Sequence, residues 1–371
     1  KGIPKEPRGN FLGFVEYSGK EFLGFTEADI LNSVIDMNSN DLVGFNDFES
    51  KTTFSSVNVI GSCNHEHSLV VSPVTKRTLR VLSLFDGISS GLFVLENMLN
   101  IDIEVYFSSE IDKHALRLQS DRWSGKIVQL GDVRNITEEL LLALGRIDLL
   151  IGGSPCNELS RVNWRRRSMH DPESSGHLIF NYVKIKDSLQ RRVVASGLPF
   201  FWLFENTSHM EDDVLSDITS VMGSEPTTIC ASAFVPMNRK RNFWGNIPRM
   251  RDLCTYTDQT TGLELQDFLR PNRNANFSSV KTVTTNRSNL KKGVAKPVTM
   301  NGTESHLYVN EVESLMGFPI HYTDGCDLSV TQRLQLLGRS WCAPVVAKIL
   351  EPLSEIYLQK RSLQEASQSD E

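Results

Sequence analysis

A cysteine stands directly after an apolar run in the segment IDLLIGGSPCN, which covers residues 147–157. The run has the composition of a strand buried on both faces, and Gly152 and Gly153 would end it in a loop. Cys156 would then lie just past the carboxyl end of a central strand, where open α/β sheets bind their ligands. A lone cysteine is more often a buried structural residue, but at this place Cys156 is a candidate nucleophile.

Two other apolar runs end in groups that could share a site with Cys156. The run VLSLFDGISSGL, residues 81–92, leads into a glycine loop, and FFWLFENT, residues 200–207, ends in the carboxylate of Glu205 and an amide. Because parallel strands place their carboxyl ends at one edge of a sheet, we expect all three groups to form one active site. A structural salt bridge is the alternative role for Glu205.

The glycine loop predicts a nucleotide-like ligand only when two carboxylates are added. Its spacing is G-x-x-x-G, not the G-x-G-x-x-G of dinucleotide-binding loops, and a strand-turn-helix needs glycine in any case. Glu110 ends the second expected strand, where it could accept both ribose hydroxyls, and Asp132 could accept from an adenine amino group. Each alone would more often be a helix cap or a turn former. Together they favour a nucleoside held across the strand ends.

The composition excludes several classes of protein. At 371 residues, with 40% apolar and 23% charged residues, the chain has the make-up of an ordinary soluble globular protein of two or three domains. We expect no membrane partner, since no apolar run approaches about 18 residues, and the first residues carry no secretory signal. Six scattered cysteines argue against disulfides, and Cys63, His65 and His67 lack the second half of a zinc site, so no metal is expected.

The net charge of −6 hides clusters of positive charge. Residues 268–303 contain seven basic side chains and no acidic one, and residues 226–251 are also free of acidic side chains. A third basic set consists of Arg161, Arg165, Arg166 and Arg167. Basic clusters are usually solvated surface, but three around a candidate site on an acidic protein predict a track for a polyanion.

From Leu79 onward, strand and helix patterns alternate, which predicts parallel βαβ units. The patterns predict strands at residues 80–84, 104–108, 127–130, 148–151, 199–204, 227–234 and 242–244, and helices at 91–99, 137–144 and 343–358. Residues 246–302 are polar and basic and interrupt the alternation. Residues 1–77 predict no definite fold and are interpreted as an N-terminal extension.

In this order the motifs resemble those of the cytosine-5 DNA methyltransferases. The sequence motifs SPCN, PFFWLFEN and LLGRSW, the last at residues 336–341, resemble those of the animal de novo branch of that family. The resemblance implies an α/β fold, the Rossmann-like class I fold of S-adenosylmethionine-dependent methyltransferases, with a mostly parallel seven-stranded sheet. Residues 78–371 would form the catalytic domain and residues 246–302 its small target-recognition insertion. If residues 1–77 descend from the zinc module that often precedes this domain, they have lost its metal.

The resemblance also implies the cofactor, the substrate and the location of the protein. S-adenosylmethionine would be the methyl donor, double-stranded DNA the substrate, and the nucleus the site of an epigenetic role. The residues implied near the donor are those of the glycine loop, the carboxylates with their neighbours and a closing segment: Phe85, Asp86, Gly87, Ile88, Ser90, Glu110, Ile111, Asp132, Val133, Asn157, Arg339, Ser340 and Trp341.

The implied chemistry assigns a role to each reactive group. Carbon 5 of cytosine is a poor nucleophile, so Cys156 would add to carbon 6 to activate it. Glu205 would bond the ring nitrogen and the exocyclic amine, while Arg239 and Arg241, if they are not simply solvated, would clamp the base or its phosphate. A base or water would remove the carbon-5 proton, and the cytosine must first be flipped out of the duplex.

Recognition of the sequence around the cytosine falls to the insertion. Arg287, in TVTTNRSN, is the expected guanine reader of a CpG step, and Lys291 and Lys292 are expected on phosphates. The family tends to have a basic residue directly after the TT pair, where this chain has Asn286. Either the reader is shifted by one position or recognition is altered.

Other positions bear on assembly and on alternative functions. Thr207-Ser208 replaces an aliphatic pair, and Val330 replaces an arginine of a self-association surface, whereas Phe180 matches an aromatic residue of another subunit interface. This implies a homo- or hetero-oligomer, with chromatin proteins as further partners. A regulatory paralogue that binds a partner methyltransferase should have lost the cysteine or the carboxylates, which are present. An RNA-directed enzyme should lack the SPCN and LLGRSW wording.

Overall fold

The structure is a computed structural model that describes residues 76–155, 167–196 and 198–360. Its first eight strands are β1 (Leu79–Leu84), β2 (Ile103–Ser109), β3 (Ile127–Gln129), β4 (Leu149–Gly152), β5 (Phe201–Thr207), β6 (Thr227–Cys230), β7 (Met237–Asn238) and β8 (Lys240–Gly245). All of these except β7 form a seven-stranded sheet of order β3-β2-β1-β4-β5-β8-β6. The expected α/β fold with a mostly parallel seven-stranded sheet is confirmed.

The strand order creates a switch point in the middle of the sheet. Strands β1 to β5 run parallel, and β1 lies between β2 and β4, so the chain winds outward in both directions from the β1–β4 pair. Strand β8 is antiparallel to both β5 and β6. The loops that follow β1 and β4 therefore leave the same edge at the point where such sheets bind ligands.

Hydrophobic side chains cover both faces of this sheet, as the apolar runs predicted. In β4, Leu149 and Ile151 belong to one buried cluster and Leu150 to the other. Strand β5 alternates in the same way, with Leu203 on one face and Phe204 on the opposite one. Successive side chains of a strand point to opposite faces, so each layer of helices packs on every second residue. The helical segments are Ser90–Phe93, Val94–Met98, Lys113–Arg122, Glu138–Ala143, Ile179–Ser196, Asp212–Met222, Val309–Leu315, Val330–Arg339, Ala343–Leu350 and Leu353–Ile356.

Several boundaries differ from the sequence-based expectation. Strand β5 continues through Thr207 because it pairs with β8, so Glu205 lies inside a strand and not after it. The sixth strand ends at Cys230, where the chain turns into the 3-10 turn Ala231–Ala233. The helix expected at residues 91–99 begins at Ser90 and becomes π-helical at Val94. The helix expected at residues 343–358 is broken at Pro352, which lacks the N–H that a continuing helix requires.

Residues 246–302, all of which the structure describes, add no strand to the seven-stranded sheet. They form 3-10 turns and short strands that belong to two small sheets. Strand β10 (Val280–Lys281) pairs with β7, while β11 (Val298–Met300) pairs with both β9 (Asn274–Ala275) and β12 (Thr303–Ser305). The 3-10 turns are Met250–Thr257, Leu265–Phe268 and Arg287–Leu290.

A buried ion pair fastens this irregular region to the helix that follows it. Arg273, just before β9, places its Nε 2.7 Å from Oε1 of Glu311, and the two side chains are 1% and 0% exposed. Arg273 also donates to the carbonyl of His306 at 2.7 Å, and its guanidinium lies 3.7 Å from the centre of the Tyr308 ring. Glu311 in turn accepts from the backbone N–H of Tyr308 at 2.7 Å. These bonds compensate both charges for the loss of water.

In the part of the chain that the structure describes, no helix has the length and apolar character needed to cross a bilayer. Nor do these residues bring together three or more His, Cys, Asp or Glu side chains in a way that could hold a metal ion. Cys63, His65 and His67 fall in residues 1–75 and so lie outside the described ranges.

Candidate active site

The loop after β1 has a strained backbone that a buried carboxylate holds in place. Phe85, Gly87 and Ser89 all have positive φ angles, between 58° and 59°. The Asp86 carboxylate between them is buried, and burial raises its pKa. It accepts five side-chain hydrogen bonds of 2.6–3.0 Å, from Ser83, Ser89, Tyr106, Ser108 and Gln119. Asp86 therefore fixes the shape of the loop from its inner side.

The second glycine of the loop permits close packing on the central strand. A Cβ atom on Gly91 would lie 2.3 Å from Cδ1 of Ile151 and 3.1 Å from the hydroxyl of Tyr106. A larger residue fits there only if the side chain of Ile151 shifts. Ile88 and Ser90, which flank the turn, are also buried, and the Ile88 carbonyl accepts a hydrogen bond of 2.9 Å from Tyr322.

Glu110, the predicted ribose ligand, lies directly beside this loop. Its carboxylate accepts backbone N–H bonds from Gly87 at 2.7 Å and from Ile111 and Asp112 at 2.8 Å. Burial raises the pKa of Glu110, while the three N–H groups favour its charged form. The side chain of Ile111 is 66% exposed, so an apolar surface remains available next to the carboxylate.

The Asp132 carboxylate lies at the end of the neighbouring strand and is partly exposed. Its oxygens accept from Arg134, which holds the pKa of Asp132 below its usual range. Asp132 also caps the 3-10 turn that begins at Val133, whose side chain is buried. The glycine loop follows β1, Glu110 follows β2 and Asp132 follows β3, and these three strands are adjacent in the sheet. The two carboxylates are acceptors that a nucleoside could use.

Glu205 is held by two donors from distant parts of the chain. Its Oε1 lies 2.9 Å from Nε of Arg241, and both side chains are mostly buried. Its Oε2 accepts a bond of 3.2 Å from the indole Nε1 of Trp341. Arg241 reaches Glu205 because β8 runs antiparallel to β5, which sets Arg241 opposite Thr207. The carboxylate is thereby fixed in one orientation before any substrate arrives.

The loop after β4 passes directly over Glu205. A Cβ atom on Gly153 would lie 2.8 Å from the carbonyl oxygen of Glu205 and 3.2 Å from its Oε2. Cys156 follows three residues later, and Cys156 and Asn157 lie outside the described residues. The structure thus brings the β4 loop, Glu205 and Arg241 together.

A small cavity opens beside Glu205. It is lined by Glu205, Arg239, Arg241, Phe243, Trp341 and Cys342, among others. Cys342 is a thiol in this cavity, but burial raises its pKa to about 11, so it is protonated at neutral pH and a poor nucleophile. Arg239 is 5% exposed, and its guanidinium is directed to backbone carbonyls, among them that of Ser340 at 2.8 Å.

The closing segment joins the cofactor side to this cavity. Arg339 donates to Oδ2 of Asp112 at 2.7 Å, so it contacts the turn that follows Glu110. Trp341, two residues later, contacts Glu205. Asp112 was not predicted as a site residue. The sequence indicated only that Asp112 could cap the helix Lys113–Arg122. In the structure it does so, accepting from two backbone N–H groups.

The expected DNA-binding residues are near neighbours in the insertion, and of these the side chain of Arg287 lies outside what the structure describes. Asn286 is exposed and caps the turn Arg287–Leu290, accepting from the N–H of Ser288 at 2.9 Å. Lys291 is partly exposed, and the exposed Lys292 places its Nζ 4.5 Å from the centre of the Phe277 ring. Elsewhere, Phe180 is partly buried at the start of the helix Ile179–Ser196, with its ring centre 5.0 Å from that of His177.

Comparison with known proteins agrees with this geometry. Residues 79–225 match the family described as C-5 cytosine-specific DNA methylase. DNA (cytosine-5)-methyltransferase DRM2 of Arabidopsis thaliana is 32% identical over 139 residues, which is 35% of this chain and 22% of that protein. Orphan methyltransferase M.Rho11sI of Bacillus phage rho11s is 27% identical over 175 residues, 47% of this chain and 31% of that protein. The chain thus spans less than a third of the length of these relatives.

The fold is also that of a solved structure. The Dnmt2 methyltransferase of S. pombe superposes with a TM-score of 0.53 at 17% identity, over 74% of this chain and 99% of that one. The segment that matches the family, residues 79–225, contains the groups assembled at one edge of the sheet: the glycine loop, Glu110, Asp132, the β4 loop and Glu205. On these grounds residues 79–225 are similar to the C-5 cytosine-specific DNA methylase family.

Proposed function

We propose that this chain transfers a methyl group from S-adenosylmethionine to carbon 5 of cytosine in DNA. The observation that carries the proposal is the fixed Glu205 carboxylate, held by Arg241 and Trp341 directly beneath the loop that leads to Cys156. A carboxylate oriented in this way can accept from the exocyclic amine of a base and from a ring nitrogen that carries a proton. Its neighbours on β1, β2 and β3 offer the separate nucleoside pocket that a methyl donor needs.

The residues around the glycine loop fit S-adenosylmethionine. Glu110 is held by three N–H groups with its carboxylate ready to accept ribose hydroxyls, Asp132 is partly exposed, and Ile111 offers an apolar surface for a base. The resemblance assigns Val133 and Asn157 to the same pocket, with Arg339, Ser340 and Trp341 as the residues that would close it. When bound, the donor supplies an electrophilic methyl group.

Glu110→Ala and Asp132→Ala are each expected to weaken donor binding by about 1–3 kcal/mol, the cost of a lost charge-assisted hydrogen bond. Titration calorimetry with S-adenosylhomocysteine measures the effect. Glu104→Ala is a suitable control. Glu104 lies near the start of β2, the strand that Glu110 follows, and pairs with Arg146 at the opposite edge of the sheet. Unchanged affinity in both Glu110 and Asp132 variants would place the donor elsewhere.

On the substrate side, each proposed step uses a group of this chain. The Cys156 thiolate forms a bond to carbon 6 of the flipped cytosine, and the ring electrons shift so that carbon 5 becomes nucleophilic. Glu205 holds the ring nitrogen and amine while charge develops, and Arg241, which orients Glu205, lies close enough to share this role. After carbon 5 has taken the methyl group, a base or water removes its proton, and the bond to Cys156 breaks.

DNA recognition is proposed for the insertion, residues 246–302, with CpG as the preferred step. Its acid-free sequence between residues 268 and 303 suits contact with phosphates, and Lys291 and Lys292 lie next to the turn Arg287–Leu290. The shift of the basic residue to Arg287, with Asn286 before it, makes Arg287 the preferred guanine reader.

Arg287→Ala is expected to lower CpG methylation and to relax the choice of the following base by about 1–3 kcal/mol, the value of a bidentate contact with guanine. Sequencing the methylated products of a mixed substrate measures this. Lys291→Ala and Lys292→Ala are the matched controls, since loss of a phosphate contact should weaken binding to all sequences and flatten its salt dependence. An equal loss at every dinucleotide for Arg287→Ala would move the reading role to Asn286.

We also propose an evolutionary branch, a location and an interface for this chain. The wording SPCN and LLGRSW supports the animal de novo branch, and with it a nuclear, epigenetic role on chromatin. The partly exposed Phe180 supports a subunit interface near the start of the helix Ile179–Ser196.

One assay separates this function from its alternatives. Labelled methyl transfer is measured on unmethylated duplex DNA, hemimethylated duplex DNA and transfer RNA. Transfer to unmethylated duplexes at least equal to that on hemimethylated ones supports a de novo enzyme. Transfer to RNA alone indicates an RNA-directed enzyme, and donor binding without transfer to any substrate indicates a regulatory paralogue.

A further inference from the structure

Arg239 connects two segments that are far apart in the sequence. Its Nη1 donates to the carbonyl of Val283 in the recognition insertion, and its Nη2 donates to the carbonyls of Ser340 at 2.8 Å and Gly338 at 3.4 Å. The side chain is 5% exposed, so these bonds form away from water. A planar guanidinium spreads its donors over three nitrogens in one rigid plane, whereas the three donors of an ammonium group rotate about a single nitrogen.

The same two segments touch directly at a glycine. A Cβ atom on Gly338 would lie 2.3 Å from the carbonyl carbon of Thr284 and 2.5 Å from the N of Thr285. Thr284 and Thr285 immediately precede Asn286 and Arg287. The backbone of residues 283–292, which we call the recognition loop, is therefore packed on the end of the helix Val330–Arg339 without an intervening side chain. A shift of one should move the other.

The segment that Arg239 holds leads on to both ligand sites. Arg339 donates to Asp112 at 2.7 Å, next to Glu110, and Trp341 donates to Glu205 at 3.2 Å. A displacement of residues 338–341 would thus be felt at the donor pocket and at Glu205. In the other direction, order imposed on this segment by the donor reaches the recognition loop through Arg239 and Gly338.

We propose that Arg239 is a positioning residue that couples binding of DNA by the recognition loop to binding of the methyl donor. This rests on the function proposed above. A ligand that orders the shared segment lowers the cost of ordering it for the second ligand, which makes the two affinities interdependent. Because such coupling is reciprocal, DNA should tighten donor binding by the same factor by which the donor tightens DNA binding.

The coupling is measured with S-adenosylhomocysteine, which cannot donate a methyl group. Its dissociation constant is determined by calorimetry with and without a short duplex containing one CpG step, and the ratio of the two values is the coupling factor. We expect a factor above about 5 for the unaltered chain, within the usual range for linked sites. In Arg239→Lys and in Gly338→Ala the factor should fall to about 1, because the first loses the fork and the second forces the segments apart.

Lys240→Ala is the matched control. Lys240 is adjacent to Arg239, but its Nζ bonds Asp258 on the surface, so the coupling factor should stay at the unaltered value. A factor near 1 in the unaltered chain, or an unaltered factor in both Arg239→Lys and Gly338→Ala, would overturn the proposal. If Arg239→Lys does not fold, Gly338→Ala decides. Failure of the unaltered chain to bind S-adenosylhomocysteine at all would instead contradict the proposed function itself.

Discussion

Cys156→Ala is expected to lower methyl transfer to duplex DNA by more than about a hundredfold, since covalent catalysis supplies orders of magnitude in rate. Without the thiolate, no bond forms at carbon 6, and carbon 5 stays too poor a nucleophile to accept a methyl group. Binding of S-adenosylhomocysteine should stay nearly unchanged, because the thiolate acts on the cytosine and not on the donor. Single-turnover assays and calorimetry on the same preparation measure the two quantities.

Cys254→Ala provides the control for this substitution. Cys254 is an exposed thiol in the turn Met250–Thr257, so its removal should leave turnover as it is. Turnover in Cys156→Ala above about a hundredth of the unaltered rate would rule out the covalent mechanism. Cys342 does not offer a substitute thiolate, because burial raises its pKa to about 11.

Arg273→Met is expected to destabilise the folded chain by about 3–5 kcal/mol, the usual cost of removing one partner of a buried ion pair. The side chains of Arg273 and Glu311 are 1% and 0% exposed, and the variant leaves the buried Glu311 carboxylate without its cationic partner. Urea denaturation followed by circular dichroism measures the loss. Arg273 anchors the insertion that we propose to bind DNA, so DNA binding should weaken together with stability.

Two further variants test whether the buried charge is the cause. Arg273→Met combined with Glu311→Leu should regain part of the stability, although the N–H groups of Arg270 and Tyr308 then lose their acceptor. Arg249→Ala removes an exposed ion pair with Glu355 and should leave the denaturation midpoint almost unchanged. A loss below about 1 kcal/mol for Arg273→Met would show that the pair does not anchor the insertion.

The central sheet and the placement of the main acidic groups could be predicted because their signals are local. The apolar run before Gly152 is long enough to identify β4, and an acidic residue at the end of a strand, such as Glu110, must lie at the ligand-binding edge. The break at Pro352 was also visible in the sequence, because proline carries no N–H, but the apolar spacing on both sides favoured one continuous helix.

The contacts that complete the site could not be predicted because they join distant segments. Trp341 and Glu205 are 136 residues apart, and Arg239 and Ser340 are 101 apart, so no spacing rule relates them. An arginine is expected at the surface, because charged side chains are almost never buried unless paired. Arg239 is buried as a result of tertiary packing that the sequence does not show. Likewise, Asp86 was expected near the cofactor, whereas the five donors around it come from β1, the glycine loop, β2 and the following helix.

The side chains of β8 alternate between the two faces of the sheet, and this limits which changes in chain length the protein can tolerate. Arg239, Arg241 and Phe243 line the same cavity because they are every second residue of one extended segment. Deletion of a single codon, for example that of Lys240, would remove no proposed functional group, yet it would turn the side chains on one side of the gap to the opposite face. Such a deletion should be as harmful as the loss of Arg241, whereas longer insertions among residues 258–264, which lie outside any strand, should be compatible with the same active site.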